Sequence, residues 1–190
     1  MNVVGIDPSL SATGVCWGPA DGETIKLQAS NPQRLWDLQG RIEQHLGEMC
    51  LAQVGPRWGA GGPPFSDGDP AMLAVIEDLP MHANSAGLTG QAQGVVRAAL
   101  QSFQIPFITV APASLKLFAT GSGKASKEMM RSEMERQFGH VPKGWDDNTI
   151  DAFWLREVGV AYMERFGEIV PDHFKKANVA KWSDLTGEMK

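Results

Sequence analysis

The sequence has 190 residues, of which 43% are hydrophobic and 21% charged, the composition of a globular domain with one core. No apolar run reaches the ~18–20 residues of a membrane-spanning helix, no secretion leader is recognisable, and Cys16 and Cys50 form neither a disulfide framework nor a metal motif. The net charge of −5 argues against simple polyanion binding. However, residues 97–143 hold seven basic and three acidic residues, so they carry +4 and the remainder −9, which suits a protein that holds a polyanion and also needs carboxylates for cations.

The first half of the chain predicts four strands and one helix. Strands are predicted over residues 2–7, 13–17, 23–28 and 72–76, and a helix over about 32–54. Residues 55–70 contain five Gly and four Pro, which predicts a loop without regular structure. A loop of this length is typical of a functional or flexible insertion.

The second half of the chain alternates helices with one further strand. Helices are predicted over residues 85–103, 112–118 and 126–138, a strand over 106–110, and a final helix from 146 onward. Three meander-like strands followed by alternating strands and helices predict an α/β fold with a mixed sheet. We expect one domain over residues 1–167, followed by a C-terminal extension over 168–190, because that segment is polar and interrupted by proline.

Four acidic residues lie at positions that favour ligand binding. Asp7 and Glu77 each end an apolar strand, and the carboxyl ends of strands are where α/β sheets bind ligands. Asp147 and Asp151 are four residues apart at the start of the final helix, so they share one face. Each acid alone also has a structural explanation, since Asp7 can form a turn, Glu77 can pair with a base, and Asp146 or Asp147 can cap the helix. Their number in one small domain favours a functional cluster.

Such a cluster predicts divalent-metal chemistry. Neighbouring carboxylates repel one another, so one must stay protonated or the group must bind a cation. Oxygen ligands without Cys or His suit Mg²⁺ or Mn²⁺ and not zinc. Two such ions can activate a water molecule and stabilise the departing oxygen of a phosphodiester. The acids therefore indicate hydrolysis of a nucleic-acid backbone.

Five motifs carry a family resemblance. They are residues 4–15 (VGIDPSLSATGV), 75–78 (VIED), Asn84 with 89–95 (TGQAQGV), 112–116 (PASLK) with 120–127 (TGSGKASK), and 147–152 (DNTIDA). In order and spacing they resemble the RuvC-type Holliday-junction resolvases of the RNase H-like nuclease superfamily, over about residues 3–158. The resemblance implies an RNase H-like mixed five-stranded sheet flanked by helices, and a homodimer in the cytoplasm of a bacterial cell or an infected host cell. It also implies resolution of four-way DNA junctions by paired Mg²⁺-dependent nicks, with Mn²⁺ as a substitute, leaving 5′-phosphate and 3′-hydroxyl ends.

The same resemblance implies the ligands of the metal. Asp7, Glu77 and Asp151 match the metal-binding acids of the family. The fourth family position lies three residues before the last acid and is Asp or His, whereas this chain has Asn148 there. We place the fourth ligand at Asp147, one residue earlier on the helix, and keep Asn148 as the weaker candidate.

Residues expected to contact DNA follow from the same motifs. Lys116 and Lys127 match family lysines near the scissile phosphate, where an ammonium group can offset developing charge, and we count Lys116 among the catalytic residues. Gly121 and Gly123 allow a phosphate close to the backbone. The full set of expected DNA-binding residues is Met81, Asn84, Lys116, Gly121, Gly123, Lys124 and Lys127. The predicted helix over 85–103 has small residues along it and is the candidate dimer interface.

Departures from the family pattern leave other functions open. Pro80, followed by Met81, stands where the family can carry an aromatic residue that opens the junction. An RNase H-like nuclease for flaps or hybrids, with broader specificity, is therefore an alternative, and so is a catalytically silent junction-binding module. An actin-like ATPase domain also resembles the motif at residues 5–8, but that fold needs two such domains and 190 residues supply one.

Overall fold

The computed structural model describes residues 2–28, 33–54, 72–78 and 86–164. Within these residues, five strands and five helices follow one another in the predicted order. The strands are β1 (Asn2–Asp7), β2 (Ala12–Cys16), β3 (Gly22–Lys26), β4 (Met72–Glu77) and β5 (Phe107–Val110), and the helices are α1 (Arg34–Val54), α2 (Ala86–Ser102), α3 (Pro112–Thr120), α4 (Lys127–Phe138) and α5 (Asp147–Glu164). The α/β class and the mixed five-stranded sheet are thus confirmed.

Capping residues determine where the short helices α3 and α4 begin and end. Pro112 opens α3, where its missing N–H is not needed. Gly121 ends α3 in the left-handed region at φ 77°, and its N–H donates to the Leu117 carbonyl at 2.9 Å. The predicted end of α3 at residue 118 is therefore two residues short. The Ser126 side chain caps α4 by accepting a hydrogen bond from the N–H of Met129.

The sheet has the strand order β3-β2-β1-β4-β5. Strands β1, β4 and β5 run parallel to one another, while β2 and β3 are antiparallel to their neighbours. Asp7 is paired with Gly14 of β2, and Glu77 is paired with Val110 of β5. These four residues lie at one edge of the sheet, which we call the carboxyl edge. It is the edge at which ligands bind in α/β folds.

Alternating side chains along each strand build two separate cores. Val4 and Ile6 of β1 pack with α1 and α2 on one face. Val3, with Leu73 and Val75 of β4, packs with α3, α4 and α5 on the other face. The sheet therefore lies between two helical layers, and every second strand residue faces α5.

Helix α5 is buried along most of its length. Phe153 and Trp154 are fully buried, and Trp154 donates a hydrogen bond from its indole nitrogen to the Met130 carbonyl of α4 at 3.2 Å. Gly159 lies so close to the sheet that a Cβ there would be 2.5 Å from Val3. Helix α5 is thereby held on both sides. In the part of the chain that the structure describes, no helix combines the length and the apolar character that crossing a membrane requires.

Three predicted regions lie outside the described residues. They are the Gly- and Pro-rich insertion over 55–70, the segment that contains Pro80, Met81 and Asn84, and the extension over 168–190. The predictions made for these residues, including the domain boundary at 167, stay predictions.

Candidate active site

Two of the predicted acids lie side by side at the carboxyl edge. Asp7 is in the set of β1 side chains that lie on the same face of the sheet as Val3. Glu77 is in the set of β4 side chains that lie on the same face as Leu73. Both sets face α5, so both carboxyl groups leave the sheet on that side. The parallel register of β1 and β4 makes the two residues neighbours, and their side chains share a hydrogen bond.

Glycines in the sheet allow the third acid to reach this pair. A Cβ at Gly5 would overlap the main-chain oxygen of Ala152, and a Cβ at Gly14 would overlap that of Asn148. The first turns of α5 therefore rest directly on strand backbone, and this contact is possible only without side chains at these two strand positions. The close approach brings Asp151, on the same turns, to the carboxyl edge.

The three acids interact strongly with one another. Burial raises the pKa of Asp7, which is 9% exposed, and the charge of Asp151 raises it further. Burial also raises the pKa of Glu77, followed by the charges of Asp7 and Asp151. This hydrogen bond raises the pKa of Glu77 and lowers that of Asp7, so for Asp7 it opposes the effect of burial. Three carboxyl groups thus share one partly buried space.

Two predicted lysines surround the acids. The Lys127 ammonium lies 3.7 Å from a carboxylate oxygen of Asp151, and its charge also acts on Asp7. Lys116 of α3 acts on both Glu77 and Asp151 and lowers the pKa of each. For Asp151, burial is nevertheless the largest influence, and its pKa is raised overall. Positive charge is therefore placed beside the acids from two different helices.

Asp147 lies beside α4. Its carboxylate oxygens are 3.8 Å from the guanidinium of Arg131 and 3.9 Å from the ammonium of Lys127, and its side chain is half exposed. Its charge raises the pKa of Asp151. Asn148, in contrast, has its main chain against Gly14, the strand partner of Asp7. Asp147 is the fourth ligand that the sequence predicts. The backbone geometry, in contrast, brings Asn148 closer to β2, the strand whose Gly14 pairs with Asp7.

Asp146 has the capping role that the sequence allowed for Asp146 or Asp147. It accepts a hydrogen bond from the N–H of Thr149 at 3.3 Å and another from the hydroxyl of Thr24. The Lys26 ammonium lies 3.1 Å away. Burial opposes ionisation of Asp146, but the bonds from Thr24, Lys26 and Thr149 prevail and lower its pKa to about 2. Asp146 thus fixes the start of α5 against β3.

The remaining predicted DNA contacts are described only in part. Gly121 is exposed and serves as the left-handed end of α3, and Lys124 is exposed in the turn that follows. A Cβ at Gly123 would lie 3.2 Å from the main-chain oxygen of Ala113. These residues lie on the connection between α3 and α4, the two helices that carry Lys116 and Lys127.

The chemistry of this donor set fits a hard divalent cation. The cluster of Asp7, Glu77 and Asp151 consists of oxygen ligands, and the pKa of each is raised, first by burial and then by neighbouring carboxylates. Among the described residues, no three acidic, His or Cys side chains are already arranged around a common point that would hold a metal ion. Because metal ligands must be ionised, a bound cation would compete with protons at Asp7 and Glu77.

Sequence reasoning missed two kinds of residue. One kind is the set of close-contact glycines, Gly5, Gly14 and Gly159. For Gly5 and Gly14, a glycine within a predicted strand was a signal for close backbone approach. The other is Gln93 of α2, which is buried and donates to the main-chain oxygen of Glu77 at 2.8 Å. Gln93 could have been recognised from the sequence, because it is a polar residue on the apolar face of a predicted helix.

A mixed five-stranded sheet with acids at its carboxyl edge, and a further acid on the last helix, defines an RNase H-like nuclease fold. Comparison with known proteins agrees with this class, although no model of a known protein family matches the chain. The chain is 32% identical to the crossover junction endodeoxyribonuclease RuvC of Nitratidesulfovibrio vulgaris over 154 residues, which cover 80% of this chain and 86% of the relative. It is 28% identical to RuvC of Acidovorax sp. strain JS42 over 183 residues, 89% of this chain and 91% of the relative.

Solved structures agree in fold. Thermus thermophilus RuvC matches with a TM-score of 0.65 and 18% identity, covering 87% of this chain and 97% of the other. The same protein in complex with Holliday junction substrate matches with a TM-score of 0.60 and 20% identity, covering 82% and 90%. The chain belongs to the RuvC family of crossover junction endodeoxyribonucleases.

Proposed function

We propose that the protein is a divalent-metal-dependent DNA endonuclease that resolves four-way junctions by paired nicks, leaving 5′-phosphate and 3′-hydroxyl ends. Membership of the RuvC family supports this activity. The single observation that carries the proposal is that Asp7, Glu77 and Asp151, from three separate elements, lie close enough at the carboxyl edge for the charge of Asp151 to act on both of the others. Acids that merely stabilise a fold have no reason to gather where the charges of Asp7 and Asp151 raise the pKa of Glu77.

Asp7, Glu77 and Asp151 would hold the metal. We expect Mg²⁺, with Mn²⁺ as a substitute, because all three ligands are carboxylates. When bound, the metal supplies an activated water nucleophile and stabilises the departing oxygen. The protein determines where the ligands lie. The register of β1 and β4 sets the main-chain positions of Asp7 and Glu77, and the contact of α5 with Gly5 and Gly14 sets that of Asp151.

The fourth ligand is proposed from two neighbouring positions. Asp147 offers a carboxylate, and its ion pairs with Lys127 and Arg131 would have to loosen for it to turn toward the metal. Asn148 offers an amide oxygen, which is a weaker metal ligand than a carboxylate. The position of its main chain over Gly14, the strand partner of Asp7, supports Asn148 as the ligand. An Asp147→Asn variant that keeps wild-type metal affinity would exclude the Asp147 carboxylate and leave Asn148 as the candidate.

The basic residues would hold the DNA backbone. Lys116 and Lys127 lie beside the acids and would contact the scissile phosphate, where Lys116 offsets the charge that develops during cleavage. Lys124 is exposed on the connection between α3 and α4 and would contact a neighbouring phosphate. Gly121 and Gly123 would let the backbone approach, and Met81 and Asn84 stay proposed DNA contacts outside the described residues.

A homodimer is proposed through α2. Its exposed side carries Gly87, Gly94 and Ala98, and a Cβ added at either glycine would meet nothing within 4 Å among the described residues. Leu88, 50% exposed, adds an apolar group to this side. A second copy could therefore pack closely here, and two-fold symmetry would place one active site on each of two symmetry-related DNA strands.

A cleavage assay tests the proposed function. Purified protein is given a mobile four-way junction, a flap and an RNA–DNA hybrid, each with Mg²⁺, Mn²⁺ or Ca²⁺. We expect paired nicks in the junction with Mg²⁺ and Mn²⁺. Equal cutting of flaps would support the broader nuclease, which the proline at position 80 favours. Junction binding without any nick would instead establish a silent binding module.

A further inference from the structure

The end of strand β4 is held by side chains of helix α2. Glu77 is the last residue of β4, and the Nε2 of Gln93 donates a hydrogen bond to its main-chain oxygen at 2.8 Å. The next residue, Asp78, donates its N–H to the Val110 carbonyl at 2.8 Å. The guanidinium of Arg97 lies 3.9 Å from the carboxylate of Asp78. The peptide between residues 77 and 78 is therefore fixed from both sides.

Gln93 is an unusual residue for its place on α2. Its side chain is 3% exposed, and its neighbours on the buried side of the helix, Ala92, Val96 and Ala99, are all apolar core residues. A buried amide is unfavourable unless it is hydrogen-bonded. An apolar residue would pack better at this position. The hydrogen bond to the main-chain oxygen of Glu77 therefore explains why an amide side chain is present here.

Gln93 lies on the opposite face of the sheet from the Glu77 carboxyl group. Helix α2 packs with Ile76 on one face, whereas the Glu77 side chain leaves the sheet toward α5 on the other. Gln93 therefore acts on Glu77 through the main chain. A fixed carbonyl holds the Glu77 backbone in one orientation, and the direction of the Cα–Cβ bond follows from that orientation.

We infer that Gln93 is a positioning residue that orients Glu77 toward the metal from the far side of the sheet. The inference rests on the proposed function, because it assumes that Glu77 is a metal ligand. Supporting residues of this kind set how well a ligand matches its metal, and their removal typically weakens metal binding by about 10–100-fold. Loss of the bond should allow Glu77 to adopt more orientations and so lower metal affinity.

The test compares Gln93→Met with Val96→Ala. Methionine has nearly the same length as glutamine but donates no hydrogen bond, while Val96→Ala weakens the same buried side of α2, three residues further on, and leaves the bond intact. Mn²⁺ affinity is measured by calorimetry, together with kcat and, without divalent ions, the affinity for a four-way junction. We expect Gln93→Met to lower Mn²⁺ affinity and kcat about tenfold and to leave junction affinity unchanged. Val96→Ala should lower only the melting temperature.

The outcomes separate this inference from the proposed function. If the wild type binds Mn²⁺ and cuts the junction, and Gln93→Met matches it in both, Gln93 does not position Glu77. Equal losses in Gln93→Met and Val96→Ala would show a purely structural role and would also overturn the inference. A wild type that neither binds Mn²⁺ nor cuts would overturn the proposed function itself. Gln93→Leu, also without a donor, replaces Gln93→Met if the latter does not fold.

Discussion

The two faces of the sheet differ in how closely their helices approach. On the face of α1 and α2, Val4, Ile6 and Ile76 meet aliphatic helix residues in an ordinary core. On the face of α5, Gly5 and Gly14 leave the strand backbone bare, and the helix main chain rests on it. The same strands therefore supply a conventional packing layer on one side and a very close contact on the other.

This difference explains why the candidate site lies on one face only. Side-chain alternation directs Asp7 and Glu77 toward α5, and the close contact brings Asp151 to them. On the other face, Gln93 donates a hydrogen bond to the main-chain oxygen of Glu77, which is the basis of the positioning role that we propose for it. Substitutions should accordingly affect chemistry on the α5 face and mainly stability on the other.

The largest expected effect is the loss of cleavage in Asp7→Asn. An amide cannot replace a carboxylate as a strong metal ligand, so junction cleavage should fall by roughly 10³-fold while junction binding persists. Ile6→Val, on the other face of the same strand, is the control, and should keep its activity while losing about 1 kcal/mol of stability. Gel-based cleavage and binding assays measure both variants, and an Asp7→Asn enzyme that cuts at the wild-type rate would exclude Asp7 as a ligand.

Gly5→Ala should cause the next largest effect. The new methyl group would overlap the main-chain oxygen of Ala152, so α5 must shift, with an expected loss of about 3 kcal/mol in unfolding free energy. Cleavage should fall as well, because Asp151 moves with the helix. Gly40→Ala on α1 is the matched control, since no atom of the described residues lies within 4 Å of its added Cβ, and it should be neutral or stabilising by about 0.5–1 kcal/mol. Similar urea-unfolding curves for the two variants would contradict the close-contact account.

Lys116→Ala should reduce turnover more than DNA affinity. Removal of one group that offsets charge in the transition state typically lowers kcat by about 10²-fold. Single-turnover cleavage and junction titrations separate the two effects, with Lys143→Ala, an exposed lysine of the same basic segment, as the control. A loss of affinity as large as the loss of rate would move Lys116 from catalysis to general DNA binding.

The smallest effect should come from Asp146→Ala, which removes the cap of α5. Loss of such a cap lowers the unfolding free energy by about 1 kcal/mol. Because the folded-state pKa of Asp146 is lowered from 3.8 to about 2, its ionised form stabilises the fold above pH 3.8, and this contribution disappears as the pH falls toward 2. Unfolding curves of wild type and variant should converge over that interval. A difference that stays constant down to pH 2 would show that the ion pair with Lys26 contributes nothing.

The order of elements was predictable because it depends on local pattern. The apolar run over residues 72–77 and the helical spacing over 34–54 determine secondary structure through residues that are close in sequence. The five motifs indicated the acids Asp7, Glu77 and Asp151 through the family resemblance. The proximity of Asp7 and Glu77 was expected because both end parallel strands at the same edge of the sheet, whereas Asp151 lies on α5.

Contacts between distant segments were not predictable. The ion pairs of Asp147 with α4 and the bond from Gln93 to Glu77 join residues that the sequence separates, and no local pattern specifies their partners. Gly5 and Gly14 appear in the sequence as ordinary strand glycines, and only the position of α5 shows why a side chain is excluded there. The sequence therefore indicated candidate residues for the chemistry but not what holds them in place.

Metal titration tests the central claim most directly. Mn²⁺ is titrated by calorimetry into wild type, Asp151→Asn and Ile42→Val, the last a variant of the buried α1 core on the other face. If Asp7, Glu77 and Asp151 bind one metal centre together, Asp151→Asn should bind Mn²⁺ more than roughly tenfold more weakly than wild type, while Ile42→Val binds it normally. Unchanged Mn²⁺ affinity in Asp151→Asn would contradict the shared site.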